Sequence, residues 1–264
     1  MTEQAHVGAP VLEAENLSIQ FGGLKALQEL SFSIPEKTVF SIIGPNGAGK
    51  TTFFNIVTGI YQPTGGDVRL YGESIVGLEP SRIVERGICR TFQNIRLFQN
   101  LTVLENVMIG RQLHERTGLG DILLRTQRFR AQEAETLDRA AEILDYVGIL
   151  DDANALAKNL PYGRQRRLEI ARALATAPRL LLLDEPTAGM NPSESEEMVQ
   201  LFQRICEERG VCVLMIEHDM KVVMGVSQRI LVLNFGRQIA LGSPREVLEN
   251  EEVITAYLGH QKVM

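Results

Sequence analysis

The chain has 264 residues, with 27 Lys and Arg against 33 Asp and Glu and a formal net charge of −6. That length fits one large domain or two small ones, and the acidic balance excludes a chain-wide basic face for nucleic acid, leaving room only for a local patch. With 44% hydrophobic and 23% charged residues, the composition is that of a globular protein able to bury a substantial core without staples.

Three cysteines, Cys89, Cys206 and Cys212, show neither a CxxC pair nor metal-ligand spacing. They read as buried thiols in a reducing compartment. The longest apolar stretch, Val211–Ile216, falls far short of the roughly 20 residues that span a bilayer. The first ten residues lack the basic start and apolar run of a signal peptide. The expectation is therefore a chain that stays in the cytoplasm, with any membrane span supplied by another polypeptide.

In chain order, residues 1–10 read as a loose tail. Short alternating runs at Val11–Leu17 and Leu30–Ile34 predict antiparallel strands. Val39–Ile43 is uniformly apolar, as a strand buried on both faces should be. A glycine-rich turn follows, then a helix over Thr51–Val57 and a strand over Asp67–Tyr71. Residues 101–148 look helical and charged, with Glu133–Val147 carrying apolar positions at helical spacing. Gly163–Ala177 predicts a further helix, ended before Pro178. Strands and helices then alternate: Leu180–Leu183, Ser193–Glu208, Val211–Ile216, Met220–Val226 and Ile230–Asn234. That repetition argues for a parallel sheet covered by helices. Asn234–Arg237 reads as a turn between strands and Val253–Leu258 as a short final helix.

The first chemical motif is Gly44-Pro45-Asn46-Gly47-Ala48-Gly49-Lys50-Thr51, followed by Thr52. It fits G-x-x-x-x-G-K-[ST] and lies between a buried strand and a helix, as a phosphate-binding P-loop requires. Glycines let the backbone wrap closely round phosphates, with its N–H groups inward and a helix N-terminus behind them. Lys50 offers a point charge to the β- and γ-phosphates, and Thr51 a hydroxyl to Mg²⁺. In a chain of this composition the pattern arises by chance in about 0.4% of cases, so an ordinary strand-to-helix turn is a poor competitor.

A P-loop alone does not separate kinases, GTPases, helicases and transport motors. Leu180-Leu-Leu-Leu183-Asp184-Glu185-Pro186 narrows the field, because an apolar strand delivers two carboxylates at its C-terminal edge, where α/β sheets bind ligands. Asp184 suits the Mg²⁺ shell through water, and Glu185 suits a general base on the attacking water. An Asp-Glu pair at a strand end is on its own an ordinary solvated turn.

Between these motifs lies Leu160-Pro-Tyr-Gly163-Arg-Gln165-Arg-Arg-Leu-Glu-Ile-Ala-Arg172. It resembles the signature motif of the ABC (ATP-binding cassette) ATPases, and the other marks of that family follow in order. Gln93 in Arg90-Thr-Phe-Gln93 matches the Q-loop glutamine, which the resemblance places at Mg²⁺ and the attacking water. Ala188–Asn191 matches the D-loop, His218 the switch histidine at the γ-phosphate, and Phe21 the aromatic ring against adenine. Singly, Gln93 also reads as a surface loop residue, His218 as a helix N-terminal residue and Phe21 as core packing. Order and spacing over residues 11 to about 258 carry the resemblance. The usual Ser-Gly-Gly core is here Pro161-Tyr162-Gly163, so the Gly163 N–H and a helix N-terminus remain to receive a phosphate from a second cassette.

This signature, with Phe21-Gly-Gly-Leu24, Thr91–Phe98, Leu101–Val107 and the ending Ala256-Tyr-Leu-Gly259, is similar to the larger ATPase of branched-chain amino-acid importers. The nearest alternative is the cassette of lipopolysaccharide extraction. A soluble ABC protein working on ribosomes or DNA fits less well, since this chain has one cassette, no heptad run and a net acidic charge.

The resemblance implies an α/β ABC-type P-loop NTPase, with a RecA-like parallel-sheet core, an antiparallel β subdomain and an α-helical signature subdomain. It implies one ATPase domain over 11–258, its helical part at about 94–178, flanked by tails at 1–10 and 259–264. It further implies ATP and Mg²⁺, membrane permease subunits, and a second ABC ATPase subunit, identical or different, sandwiching ATP. An extracytoplasmic substrate-binding protein would act indirectly, nucleic acid is not a partner, and the location is the cytoplasmic face of the inner membrane. Gln93 to Arg111 carries Leu97, Phe98, Leu101, Val103 and Leu104. Exposed apolar residues beside the glutamine are what a permease's coupling helix would dock against, although the same residues also suit the core of the helical part. The stretch Gln112–Arg130, with Arg111, Arg116, Arg125, Arg128 and Arg130 in and beside it, suits an anionic membrane surface or a permease loop.

Overall fold

The computed structural model describes residues 10–114, 119–124 and 126–258. Of the tails expected at 1–10 and 259–264, residues 1–9 and 259–264 lie outside the described residues, as do Arg116 and Arg125. The chain folds into two compact units that divide at Arg90/Thr91 and Pro178/Arg179.

The first unit opens with β1 (Leu12–Phe21) and β2 (Leu24–Ile34), antiparallel across the two-residue Gly22-Gly23 turn. β3 (Val39–Ile43) is buried at all five positions. The phosphate-loop sequence then leads into α1 (Lys50–Val57), whose Phe53, Phe54, Ile56 and Val57 are buried. β4 (Gly65–Leu70), β5 (Glu73–Ser74), α2 (Pro80–Glu85) and β6 (Ile88–Arg90) follow.

The second unit is helical. Its principal helices are α3 (Val103–Arg111), α4 (Leu119–Leu124), α5 (Gln127–Tyr146) and α6 (Tyr162–Ala175). A capping box starts α3: Thr102 accepts from the Glu105 N–H at 3.1 Å, and Glu105 accepts from the Thr102 N–H at 2.7 Å. Gly110 lets α3 approach α6, since a Cβ there would lie 2.4 Å from the Arg172 carbonyl oxygen and 2.9 Å from the Ala175 Cβ. Val103 is fully buried, so it belongs to the core of this unit and not to an exposed docking face. Leu97, Leu101 and Leu104 are half-buried, and Phe98 is 48% exposed.

The chain returns to the first unit with β7 (Leu180–Asp184), α7 (Pro192–Arg209), β8 (Cys212–Ile216), α8 (Met220–Val226), β9 (Arg229–Asn234), β10 (Arg237–Gly242), α9 (Pro244–Leu248) and α10 (Glu251–Leu258). Two sheets result, ordered β2-β1-β4-β5 and β10-β9-β3-β8-β7-β6. The first is antiparallel, and the second is parallel except for its β10 edge. Phe40 and Ile42 of β3 share a core with Phe53 and Phe54 of α1, while Ile43 faces Val223 of α8, Val247 of α9 and Val253 of α10. Apolar packing on both faces explains why β3, β7 and β8 read as uninterrupted apolar runs.

α2, β5, β6 and α9 were not expected from the sequence. Each is too short to show a period, although the capping box of α9, Ser243 with Glu246 around Pro244, is visible as a sequence pattern. Gly110→Ala is expected to lower stability by about 1–3 kcal/mol through overpacking against α6. The denaturant midpoint of the purified protein, with its slope unchanged, measures this.

Candidate active site

The P-loop conformation is imposed from both sides. Gly44 (φ 149°) runs so close to β9 that a Cβ would stand 2.1 Å from the Leu233 carbonyl oxygen. Gly49 (φ 105°) is pressed against β2, where a Cβ would meet the Ala26 carbonyl oxygen at 2.7 Å. The Gly236 N–H at the β9–β10 turn donates to the Ala48 carbonyl at 3.0 Å. No L side chain fits either glycine without moving backbone. Gly47 (φ 80°), by contrast, faces open space.

Two features suit this loop to phosphate. No side chain caps the N-terminus of α1, and its first turn carries no acid, so the free N–H groups and the positive helix end have no partner charge of their own. Lys50 Nζ donates to the Gly44 and Pro45 carbonyls at 2.6 and 2.9 Å. Burial pulls its ammonium below the ordinary lysine value, while Glu185 and Asp184 pull it back up. A half-desolvated cation beside free N–H groups is chemistry that a polyphosphate completes.

β7 ends at Asp184, and Glu185 follows in a left-handed conformation (φ 48°) that breaks the strand's alternation. The two carboxylates therefore differ in environment. Asp184 is buried, and its Oδ2 accepts from Arg90 Nη2 at 2.8 Å. Arg90 also donates to Asn55 Oδ1 at 2.7 Å and lies over the Phe54 ring. Glu185 is more open and lies 3.7 Å from His218 Nδ1. His218 is itself largely exposed, which leaves the imidazole available to a ligand.

Glu217 is the site residue that sequence reasoning missed. It is fully buried, and its Oε1 accepts from the Thr187 N–H and hydroxyl at 3.0 and 2.6 Å. Its Oε2 accepts from the His218 N–H at 3.1 Å. One carboxylate thereby fixes both the turn after Glu185 and the backbone of His218. The available signal was an acid ending the otherwise apolar strand Val211–Ile216.

Phe21, 45% exposed, ends β1 and meets Tyr61 edge to face at 5.1 Å. Gln93 and Gly163 belong to the helical unit. There the α6 N-terminus, with Pro161 as N-cap and Gly163 in the first turn, has neither a side-chain cap nor a first-turn acid. The side chains of Thr102, Thr126, Asn191, Asp219 and Ser243 cap α3, α5, α7, α8 and α9, so bare ends are not the habit of this chain. α2 is also uncapped, but Pro80 opens it and has no N–H to offer.

The model of the ABC transporter family matches residues 27–188, and that of the branched-chain amino acid ATP-binding cassette transporter matches residues 237–263. The chain is 48% identical over 250 residues to the high-affinity branched-chain amino acid transport ATP-binding protein LivG of Salmonella typhimurium, covering 95% of this chain and 98% of the relative. It is 32% identical to the lipopolysaccharide export system ATP-binding protein LptB of Haemophilus influenzae, over 95% of this chain and 98% of the relative. Among solved structures, the ADP conformation of MJ1267, an ATP-binding cassette of an ABC transporter, superposes with a TM-score of 0.83 at 31% identity, covering 96% of this chain and all of that one. The chain belongs to the ABC transporter ATP-binding family.

The ABC fold places the P-loop, Asp184, Glu185 and His218 in one unit and the signature turn with Gln93 in the other. In the helical unit, α6 holds the Gln93 segment from below. The fully buried Arg166 donates through Nη1 to the Phe92 carbonyl at 2.8 Å and through Nη2 to the Gln93 carbonyl. Burial pushes the Glu169 carboxyl above its ordinary range, and Arg166 and the Phe92 and Arg96 N–H groups pull it down.

Arg90→Met is expected to destabilise the cassette by about 3–5 kcal/mol, because it strands the Asp184 carboxylate without its buried partner. Equilibrium unfolding of wild type and variant measures the loss.

Proposed function

We propose that this ABC ATPase is the motor subunit of an importer for branched-chain amino acids. The observation that carries the ATPase reading is the P-loop cradle, with its uncapped helix, partly desolvated Lys50 and two carboxylates in different environments. The cargo rests on the match of residues 237–263 to the branched-chain amino acid cassette model and on the 48% identity to LivG.

In this reading Gly44, Pro45, Asn46, Gly47, Ala48, Gly49, Thr51 and Thr52 present backbone and hydroxyl donors to the ATP phosphates. Lys50 exchanges its carbonyl partners for the β- and γ-oxygens, and Phe21 stacks on adenine, its ring braced by Tyr61. Glu185 takes the proton of the attacking water, and His218 reaches the γ-phosphate. Thr51 and Gln93 would hold Mg²⁺ directly and Asp184 through water, and the ion would offset charge on the phosphates. Gly163 and the bare end of α6 receive the γ-phosphate of a second cassette.

No helix among the described residues is long and apolar enough to cross a membrane. Membrane permease subunits supply the span, and the cassette works at the cytoplasmic face. The docking surface is the exposed edge around Phe98, where the ring lies 5.7 Å from the Arg172 guanidinium and the backbone is held by Asn106.

Glu185→Gln keeps shape but cannot take a proton, so turnover is expected to fall by about 10²–10⁴ with ATP still bound. Steady-state hydrolysis and nucleotide binding on the same preparation check this, and unchanged turnover at saturating ATP places the base elsewhere. Phe98→Ala is expected to keep ATP binding and hydrolysis while uptake of leucine, isoleucine and valine and permease association fall. Proteoliposomes carrying the assembled complex measure both; a parallel fall in hydrolysis, uptake and folded protein returns Phe98 to the core.

A further inference from the structure

Tyr162 stands in the first turn of α6, beside Gly163, where a bulky aromatic residue brings nothing to phosphate binding. Its contacts point elsewhere. The Tyr162 hydroxyl accepts from Arg166 Nη2 at 3.1 Å, and the guanidinium lies 5.6 Å from the Tyr162 ring centroid. The same Nη2 donates to the Gln93 carbonyl. Arg166 Nη1 is shared between the Phe92 carbonyl at 2.8 Å and Glu169 Oε2 at 3.1 Å. Glu169 Oε1 closes the network by accepting from the N–H groups of Phe92 and Arg96, each at 3.4 Å. Two charged side chains on one helix thus grip the segment 92–96 by carbonyls and N–H groups together.

Stability is a poor reason for this arrangement. Arg166 and Glu169 are each 2% exposed, and Arg166 Nε is buried with no hydrogen-bond partner. Desolvating such a pair commonly offsets its attraction, and apolar replacements of like volume serve a core as well or better. What apolar side chains cannot do is hold a loop's backbone at fixed register to a helix turn several residues away, because dispersion contacts lack direction.

We propose that Tyr162, Arg166 and Glu169 are positioning residues that lock the Gln93 segment to the signature turn, so that a displacement at one is delivered to the other. The Tyr162 hydroxyl is the point where the link reaches the signature turn, one residue from the Gly163 N–H. This rests on the reading above that Gln93 serves one ATP, that Gly163 serves the ATP of a second cassette, and that the segment beyond Gln93 docks a permease. A permease pushing on that segment would then move the signature turn directly, without an intervening deformable core.

The test uses the assembled permease–cassette complex in proteoliposomes, comparing wild type, Tyr162→Phe and the double apolar variant Arg166→Met with Glu169→Leu. Three quantities are read: KM for ATP, the stimulation of hydrolysis on assembly with the permease, and amino acid taken up per ATP hydrolysed. Tyr162→Phe removes one hydroxyl, and a single hydrogen bond is worth about 2- to 12-fold in an equilibrium. The expected result is a loss of that size in stimulation and in uptake per ATP, with KM within about two-fold and a melting temperature lowered by no more than a few degrees. The double variant is expected to lose stimulation almost entirely while still binding ATP. Normal stimulation and normal uptake per ATP in Tyr162→Phe overturn the link, whether or not the double variant folds. If the wild-type complex shows stimulation but no branched-chain uptake, the cargo reading fails while the link is still decided by stimulation. If wild-type cassettes do not bind the permease, the docking reading fails. ATP-dependent pairing of the isolated cassettes then decides the link, which is overturned if Tyr162→Phe pairs as readily as wild type.

Discussion

The rest of this structure depends on a backbone that has no room for side chains. Between β3 and α1 the chain is pinned against the Leu233 carbonyl on one side and the Ala26 carbonyl on the other, at distances a Cβ cannot share. Those contacts fix where the first turn of α1 begins and leave its N–H groups unspent. A helix end of this kind carries roughly half a positive charge. β2, β9 and the β9–β10 turn hold this loop in place, and Lys50 stands at it as the cation that suits an anion.

The surrounding charges are arranged so that few are left uncompensated. Arg90 neutralises Asp184 at a buried strand end, Lys50 rests on carbonyls, and Glu217 spends its oxygens on Thr187 and the His218 N–H. A buried carboxylate without such donors would ionise only at severe cost. Of these groups Lys50 is the one whose carbonyl partners a phosphate can replace. Glu185 and His218 remain the more exposed pair.

The helical unit solves a different problem. Its segment 92–96 carries Gln93 yet lies in no regular element, so its backbone polar groups need partners from elsewhere. α6 supplies them through Arg166 and Glu169, and Asn106 of α3 does the same for the turn at Phe98. In both places a buried polar side chain replaces the hydrogen bonds that a strand or helix would have provided. The loop's backbone is thereby held while Gln93 and Phe98 stay exposed.

The sequence by itself determined the parts of this protein whose physics is local. The P-loop needs glycines at fixed offsets, β3, β7 and β8 need apolar runs because both faces are covered, and α7 announces itself by Asn191, Pro192 and Glu194. Those requirements leave marks within a few residues of one another, and the ordered motifs carried the family. Tertiary structure alone decided which residues far apart in the chain would become partners. Arg90 with Asp184, Glu217 with Thr187, and Arg166 with the backbone of Phe92 and Gln93 are separated by 30 to 94 residues. Nothing in a window of sequence distinguishes a buried charge from a solvated one. Likewise, Val103 inside and Phe98 outside look alike until α3 is packed on α6. Burial is a property of what arrives from elsewhere in the chain, and only the packed fold supplies that.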